Sequence, residues 1–547
     1  MNNARNILST IIEKISLVLA FAALGLLTYL VTGPVEHVNL MTYEDMPVLY
    51  LWNPPLKILF VVLLAILTAG MTIALHKLQS TNKCHNYTAP SHTNKENSPT
   101  NACTNNTSPN RNLLITTLTL LPPAIFGIWW VLVDEFPVAG DARAVADMAK
   151  AIAYGTDTSE YIDYINTFAN QRGIVILEAL FYKVFNDNAY IILRFLNLAM
   201  ILATIQALSL IAGEIWQDEK ITILTRILLS LFVPFVLFAN LVYGTVPSIC
   251  LLVLGFLFAL KLCRKNRVAD AIFTVLSFTL AMYIYQGAMI AVLATIIYLL
   301  FMDKKVPSKK LLITAILLVL SMLFTGKIAN FLFSFVTGLE LGGGMPAIAW
   351  IYMGLSAGDG VNGAGSYNDS HSMAWQLNNF DTASTSSYCK SRTIEIIGEY
   401  LTGKRPLLFF YEKTRCQWTN SMFDSTQMTQ FPSYENFVLT DSYRHLLSGK
   451  IMQTIILYAD IFQMMVYLLA FLWVLRTLFK KDMPNKAALL VIFFVGGFLF
   501  QLMWEQKARY CMTYFMVLIP LAACELTQLA TAITAGLKKL TIRKSEK

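Results

Sequence analysis

Residues 113–154 read LLITTLTLLPPAIFGIWWVLVDEFPVAGDARAVADMAKAIAY, and they cross three environments in one stretch. The part 113–133 is apolar throughout and long enough to cross a hydrocarbon core, which takes about 20 residues. At Val133 the run stops, and Asp134, Glu135 and Asp141 follow. Beyond Asp141 the residues Val145, Met148, Ala149, Ile152 and Ala153 repeat at helical spacing, which predicts one amphipathic helix ended by Gly155. That helix is expected to lie flat on the membrane, with Asp141 at its N-cap, where backbone N–H groups keep a carboxylate ionised. Carboxylates are costly inside a bilayer. An acidic cluster at a membrane exit is therefore either a solvated flank or the base of a site at the water boundary.

Composition fixes the class. Of 547 residues, 56% are hydrophobic and 14% charged, with a mean hydropathy of +0.55, which excludes an ordinary soluble chain. Twelve windows come near or meet the length of a span: 16–33, 55–76, 113–133, 189–213, 221–241, 246–263, 268–284, 286–302, 310–326, 451–475, 486–505 and 511–531. The predicted fold is an all-α polytopic membrane protein of about 12 transmembrane helices. The first run lacks a cleavage signature and is expected to be retained as a span. The segment 173–185 is too short to cross and is expected to lie at the interface.

Four connections are basic: Lys261, Arg264, Lys265 and Arg267; Lys304, Lys305, Lys309 and Lys310; Arg476, Lys480, Lys481 and Lys486; and the tail with Lys538, Lys539, Arg543, Lys544 and Lys547. Under the twelve-span count they share one side, while the connections 243–247, 285–287 and 34–54 carry no basic residue. Both termini are then cytoplasmic, in a plasma (inner) membrane. The net charge of +8 is accounted for by topology, and no nucleic-acid partner is expected.

This divides the chain into an N-terminal two-helix hairpin (1–76), a polar linker expected to be disordered and cytoplasmic (77–112), and a transmembrane core (113–326) with an external loop at 134–188. A large extracytoplasmic loop (327–450) and C-terminal helices with a basic tail (451–547) follow. The sequence shows no internal repeat, which argues against a transporter built from repeated halves.

Several polar stretches fall near membrane boundaries. Trp504-Glu505-Gln506-Lys507-Ala508-Arg509-Tyr510 opens the last span, so Arg509 and Lys507 read as phosphate donors or as interfacial anchors. Phe410-Tyr411-Glu412-Lys413-Thr414-Arg415-Cys416-Gln417-Trp418 suits a sugar face beside a phosphate, and equally a plain amphipathic helix; Lys413 and Trp418 are its candidates. Gly342–Leu355 reads as a re-entrant segment or as loop packing. Cys84, His85, His92 and Cys103 lack paired zinc spacing. Cys389 and Cys416 lie in the external loop, where oxidation could pair them. A phosphate-binding glycine loop after a strand is missing, which fits a lipid-linked donor.

The acidic exit with Gly140-Asp141-Ala142-Arg143, the stretch Tyr164-Ile165-Asn166-Thr167-Phe168-Ala169-Asn170-Gln171-Arg172-Gly173, and the Arg509-Tyr510 pair together resemble the GT-C superfamily of glycosyltransferases. The nearest branch in pattern is that of the bacterial relatives of protein O-mannosyltransferases and lipid A aminoarabinose transferases. The order of elements matches from about 113 to 531. The resemblance implies a GT-C-like fold and inverting transfer of a sugar from a polyprenyl-phosphate donor to an extracytoplasmic cell-envelope acceptor: a polysaccharide, teichoic acid, lipid or protein. It implies Asp141 as base, Arg509 and Lys507 on the donor phosphate, and Arg143, Gln171, Arg172 and Tyr510 near substrate. Some superfamily members use a divalent cation beside acidic loop residues, a role open to Asp134 and Glu135; the lipid A branch requires none. The chemistry agrees, because phosphate leaves without strong acid help and one base suffices to deprotonate the acceptor hydroxyl. Two other classes stay open: a cell-envelope polysaccharide polymerase or ligase, and a lipid-linked sugar flippase or transporter.

Overall fold

The computed structural model describes residues 2–33, 54–80, 109–135, 138, 140–302, 308–357, 363–426, 440–480 and 483–545. Among these, every regular element is a helix. Eight helices are long and apolar enough to cross a membrane, and two bent pairs bring the number to 10. These fall on ten of the twelve windows. The other two are the shorter helices Val268–Ile284 and Gln286–Met302. Length explains the difference from twelve: the 17 residues of Val268–Ile284 rise only ~26 Å at ~1.5 Å each, short of a ~30 Å core.

The bent pairs follow from proline. Glu219–Ser230 turns by 56° into Val233–Asn240, where Pro234 occupies the first turn of the second piece. Proline has no N–H to donate and fits a first helical turn, where the donors are orphaned anyway. At the break the Tyr458 hydroxyl donates to Leu231 O at 2.8 Å, and the carbonyls at the end of the second piece are also met by side chains. Trp130 Nε1 donates to Leu237 O at 3.0 Å, and Asn197 Nδ2 donates to Ala239 O and Leu241 O at 3.2 and 2.9 Å. These bonds hold the following loop, which carries Tyr243.

Basic connections meet at one end of the bundle. Arg264 and Lys486 converge on Glu214 at 2.9 and 4.0 Å, and Lys310 Nζ donates to Asn266 O at 2.8 Å. Arg476 pairs with Glu525 at 2.8 Å, so the deep carboxylate of Glu525 is matched by a cation from a neighbouring helix.

The acidic exit behaves differently from expectation in three respects. Helix Gly140–Tyr154 forms and ends before Gly155, which takes a positive φ of 68°. Its apolar stripe, including Val145, Met148 and Ala149, packs against helix Arg172–Phe185, so one amphipathic helix covers another instead of the stripe facing lipid. Asp141 sits in the first turn rather than at the cap, because the helix already begins at Gly140. Third, Asp134 and Glu135 turn away from Asp141. Asp134, with its side chain 1% exposed, pairs with Arg194 at 3.1 Å and accepts from the Tyr443 hydroxyl at 2.6 Å. Glu135 accepts from Thr440 N and Oγ1 at 2.9 and 2.6 Å, just before helix Asp441–Ser448. Both carboxylates tie the exit of helix Pro109–Val133 to the far end of the large loop. Removing the cation leaves a buried charge uncompensated, so Arg194→Ala is expected to cost about 3–5 kcal/mol. Thermal unfolding in detergent checks this, and a Tm within a degree or so of wild type would show that Asp134 finds other compensation.

The large loop is mostly helical, with Ile348–Leu355, Ser370–Leu377, Thr382–Leu401 and Leu408–Trp418 packed beside the ends of the spans. Cys389 is a buried free thiol, so the disulfide considered with Cys416 is not formed. Most of the 77–112 linker, with Cys84, His85, His92 and Cys103, lies outside the described residues; its edges extend the helices Pro54–Ser80 and Pro109–Val133.

Candidate functional site

A cavity of about 510 Å³ opens at the end of the bundle opposite the basic connections. Asp141, Gln171, Lys507, Arg509 and Tyr510, drawn from opposite halves of the chain, all line it. The first loop contributes helix Gly140–Tyr154, helix Ser159–Thr167 and the turn at Ala169–Gln171; the last bent helix contributes Arg509 and Tyr510 from its first turn.

Tyr243 joins the two halves. Its hydroxyl receives Gln171 Nε2 at 2.7 Å and lies 3.4 Å from the Tyr164 hydroxyl. Tyr164 is in turn hydrogen-bonded to Asp141, and burial together with that negative charge pushes its phenol up. It is therefore a donor to the carboxylate at neutral pH. The Arg509 guanidinium sits over the Tyr243 ring at 5.5 Å and the Tyr510 ring at 5.2 Å. Cation–ring contacts of this kind hold a guanidinium without neutralising it. The main-chain N–H of Arg509 donates to Asp424 at 3.1 Å.

Lys507 is held in an ion pair. It pairs with Glu505 at 3.0 Å, and Glu505 also accepts from the Tyr510 hydroxyl at 3.0 Å. Burial pushes the Glu505 carboxyl up, but Lys507, Arg509 and the Tyr510 hydroxyl outweigh it and hold the group below the usual carboxylate range. Glu505 is thus ionised and holds Lys507 in an ion pair.

The other sequence candidates lie elsewhere. Arg143 forms an exposed ion pair with Asp147 one turn on, at 3.0 Å. Arg172 is buried and donates to Gly342 O at 2.8 Å, joining the first loop to the large one. Trp418 is fully buried among Phe494, Phe498 and Tyr514. Its carbonyl accepts from Gln463 and Tyr467 at 3.1 and 2.9 Å. Large size and complete burial make it a core residue rather than a sugar platform.

Lys413 acts behind the cavity wall. Its ammonium donates to the carbonyls of both Gly354 and Trp504. Trp504 lines the cavity, and a side chain on Gly354 would collide with the Trp504 backbone. Burial, only partly offset by Glu505, pushes the Lys413 ammonium down to about 7. Unfolded lysine keeps its proton up to about 10.4, so over that interval the unfolded state binds more protons and stability rises with pH. We expect the Tm in detergent to climb from about pH 7 to pH 9 and the slope to flatten in Lys413→Met; an unchanged slope would assign the dependence to other groups.

Sequence reasoning did not single out Tyr367, His371 or Tyr243, which line the cavity; Trp350 lies in the 342–355 stretch read as a re-entrant segment or loop packing, and Glu505 in the stretch that opens the last span. For Tyr243 the local signal was the proline-broken span ending at Tyr243-Gly244, since irregular backbone at membrane depth is tolerated where it lines a cavity. Part of the lining is apolar, with Ile249, Leu252, Met289, Ile290 and Phe493 from three helices, beside the charged Asp141, Glu505, Lys507 and Arg509. Among the described residues no group of three His, Cys, Asp or Glu side chains converges, and Asp134 and Glu135 are committed to Arg194, Tyr443 and Thr440.

Residues 100–530 match a family model described as a conserved hypothetical integral membrane protein. No curated protein matches the chain.

Proposed function

The chain belongs to that family of conserved hypothetical integral membrane proteins, and from its cavity we propose that it is a glycosyltransferase taking a sugar from a polyprenyl-phosphate donor to an extracytoplasmic cell-envelope acceptor. One observation carries the reading: a carboxylate, Asp141, and a buried guanidinium, Arg509, share a cavity that is also lined by apolar side chains such as Ile249, Leu252 and Phe493. Such a cavity suits an amphiphile with an anionic head, and a base beside it suits a hydroxyl acceptor.

In the proposed step the acceptor O–H gives its proton to Asp141 as the oxygen bonds to the anomeric carbon. The bond from that carbon to the phosphate oxygen breaks, and its electron pair leaves with the polyprenyl phosphate. Arg509 meets the phosphate in a forked, charge-assisted geometry, with Lys507 joining as it is shared away from Glu505. Tyr164, donating to Asp141, and Tyr243, under Arg509, fix the two charges relative to one another. Attack opposite the leaving group gives inversion. This assignment goes with a GT-C-like architecture, with the cavity facing outward and the basic end inward.

The test is turnover of a panel of polyprenyl-phosphate sugars by purified protein in proteoliposomes. Release of polyprenyl phosphate with glycosylated product is expected from at least one donor. Elongation of a preassembled chain would favour a polysaccharide polymerase, movement of intact donor across the bilayer would favour a flippase, and neither outcome leaves the transferase reading standing.

A further inference from the structure

One wall of the cavity takes no part in handling the proton or the phosphate. Trp350, from the short helix Ile348–Leu355, and Trp504, after helix Ala488–Met503, lie nearly parallel, 6.1 Å between centroids and 6° apart. Trp504 continues onto Phe500 at 4.9 Å, and Trp350 reaches the edge of Phe168 at 6.0 Å. The wall is held from behind, since Lys413 binds the carbonyls of Gly354 and Trp504 and Gln506 N donates to Gly365 O at 2.8 Å. The stack of Trp350, Trp504 and Phe500 lines an open cavity on a constrained backbone, which makes it a fixed aromatic wall rather than core filling.

Beside this wall is His371, whose residue is 2% exposed. Its ring meets Tyr367 edge-on at 5.3 Å and stands 6.2 Å from Trp350. Nδ1 lies 2.9 Å from Asn368 O, an acceptor only, so Nδ1 carries the hydrogen. Burial pushes the imidazole down, so it is neutral at pH 7. Nε2 is then a bare lone pair, and no described residue supplies its donor. An acceptor at the cavity with no protein donor is open to a ligand group that donates to it.

Rings that offer a flat apolar face, next to one fixed acceptor, match a molecule with C–H groups on its face and hydroxyls on its rim. That is a pyranose. An extended peptide would need a row of backbone partners, and an acyl chain has nothing to give Nε2. We propose that Trp350, Trp504, Tyr367 and His371 form a pyranose-binding subsite, the sugar lying on the tryptophan pair with one hydroxyl donating to His371 Nε2. The proposal rests on the glycosyl-transfer reading only for its consequence in turnover; the binding itself does not depend on it. The ring is either the sugar of the donor or that of a saccharide acceptor.

Two measurements separate these. Saturation-transfer NMR on the purified full chain in detergent, with methyl glucoside, methyl mannoside and methyl galactoside as probes, is expected to show saturable contact for at least one of them. That contact should weaken about tenfold or more in Trp350→Leu and in His371→Ala and persist in Asp141→Asn. No contact, or contact equal in Trp350→Leu and wild type, overturns the subsite. Should Trp350→Leu not fold, Tyr367→Leu at a residue 47% exposed carries the same comparison. In turnover, Trp350→Leu is expected to raise one KM about tenfold with kcat changed less. A rise for the donor assigns the subsite to the donor sugar, and a rise for the acceptor assigns it to a saccharide acceptor; unchanged values for both overturn the proposal. Sugar contact without turnover of any donor would keep the subsite and remove the transferase reading, so the two fail separately.

Discussion

Asp141→Asn is expected to lower sugar transfer by about 10²–10⁴-fold, the range that a positioned base contributes, with the protein still folded. The change is isosteric. The Asn carbonyl oxygen still accepts from Tyr164, and the first turn of helix Gly140–Tyr154 loses only a modest helix-terminus interaction of about 0.3–1 kcal/mol. The apolar stripe packed on helix Arg172–Phe185, which holds the segment, is untouched. What disappears is the capacity to take a proton from the acceptor hydroxyl. Donor binding should be little changed, because the phosphate is met at the opposite side of the Tyr243 bridge. Turnover near wild type in Asp141→Asn, measured in proteoliposomes, would exclude Asp141 as the base.

Arg509→Ala has the second large effect, and it falls on the donor. Truncating one partner of a buried charged pair typically costs about 2–5 kcal/mol, which corresponds to a loss of donor affinity of more than about tenfold. Arg509→Lys keeps the charge but loses the fork and the ring contacts with Tyr243 and Tyr510, so it should recover only part of the affinity. Lys507→Ala is expected to weaken the donor less than Arg509→Ala, since Lys507 begins in an ion pair with Glu505 and gives up one partner to gain another. Equal effects at the two positions, read from donor titrations, would contradict this order. Unchanged donor affinity in Arg509→Ala would reduce Arg509 to an anchor of the membrane boundary.

The membrane class and the places of the helices were legible because each is encoded within one short window. All twelve apolar windows fall on helices, and the stripe Val145, Met148, Ala149 is buried on the predicted face. How many helices span was less legible, since Val268–Ile284 and Gln286–Met302 are apolar but short. Site residues divided along the same line. Asp141 and Arg509 stand out where charge meets an apolar run, and the fold brings both to one cavity. Trp418 and Arg172 looked similar in sequence, yet one fills the core and the other ties two loops together.

The sequence by itself determined an integral membrane protein built of helices, with one acidic exit and one basic opening of the last span. Hydropathy and helical period act over a few residues, and no distant partner is needed to express them. Only the tertiary structure decided which carboxylate of the acidic exit lines the cavity. Asp134 and Glu135 found Arg194, Tyr443 and Thr440 and left Asp141 to Tyr164. It likewise decided that Trp350, His371 and Tyr243 stand around the same space. The pairing of buried polar groups is a choice among residues hundreds of positions apart, settled by the high cost of leaving any of them unmatched, and local pattern carries no record of it.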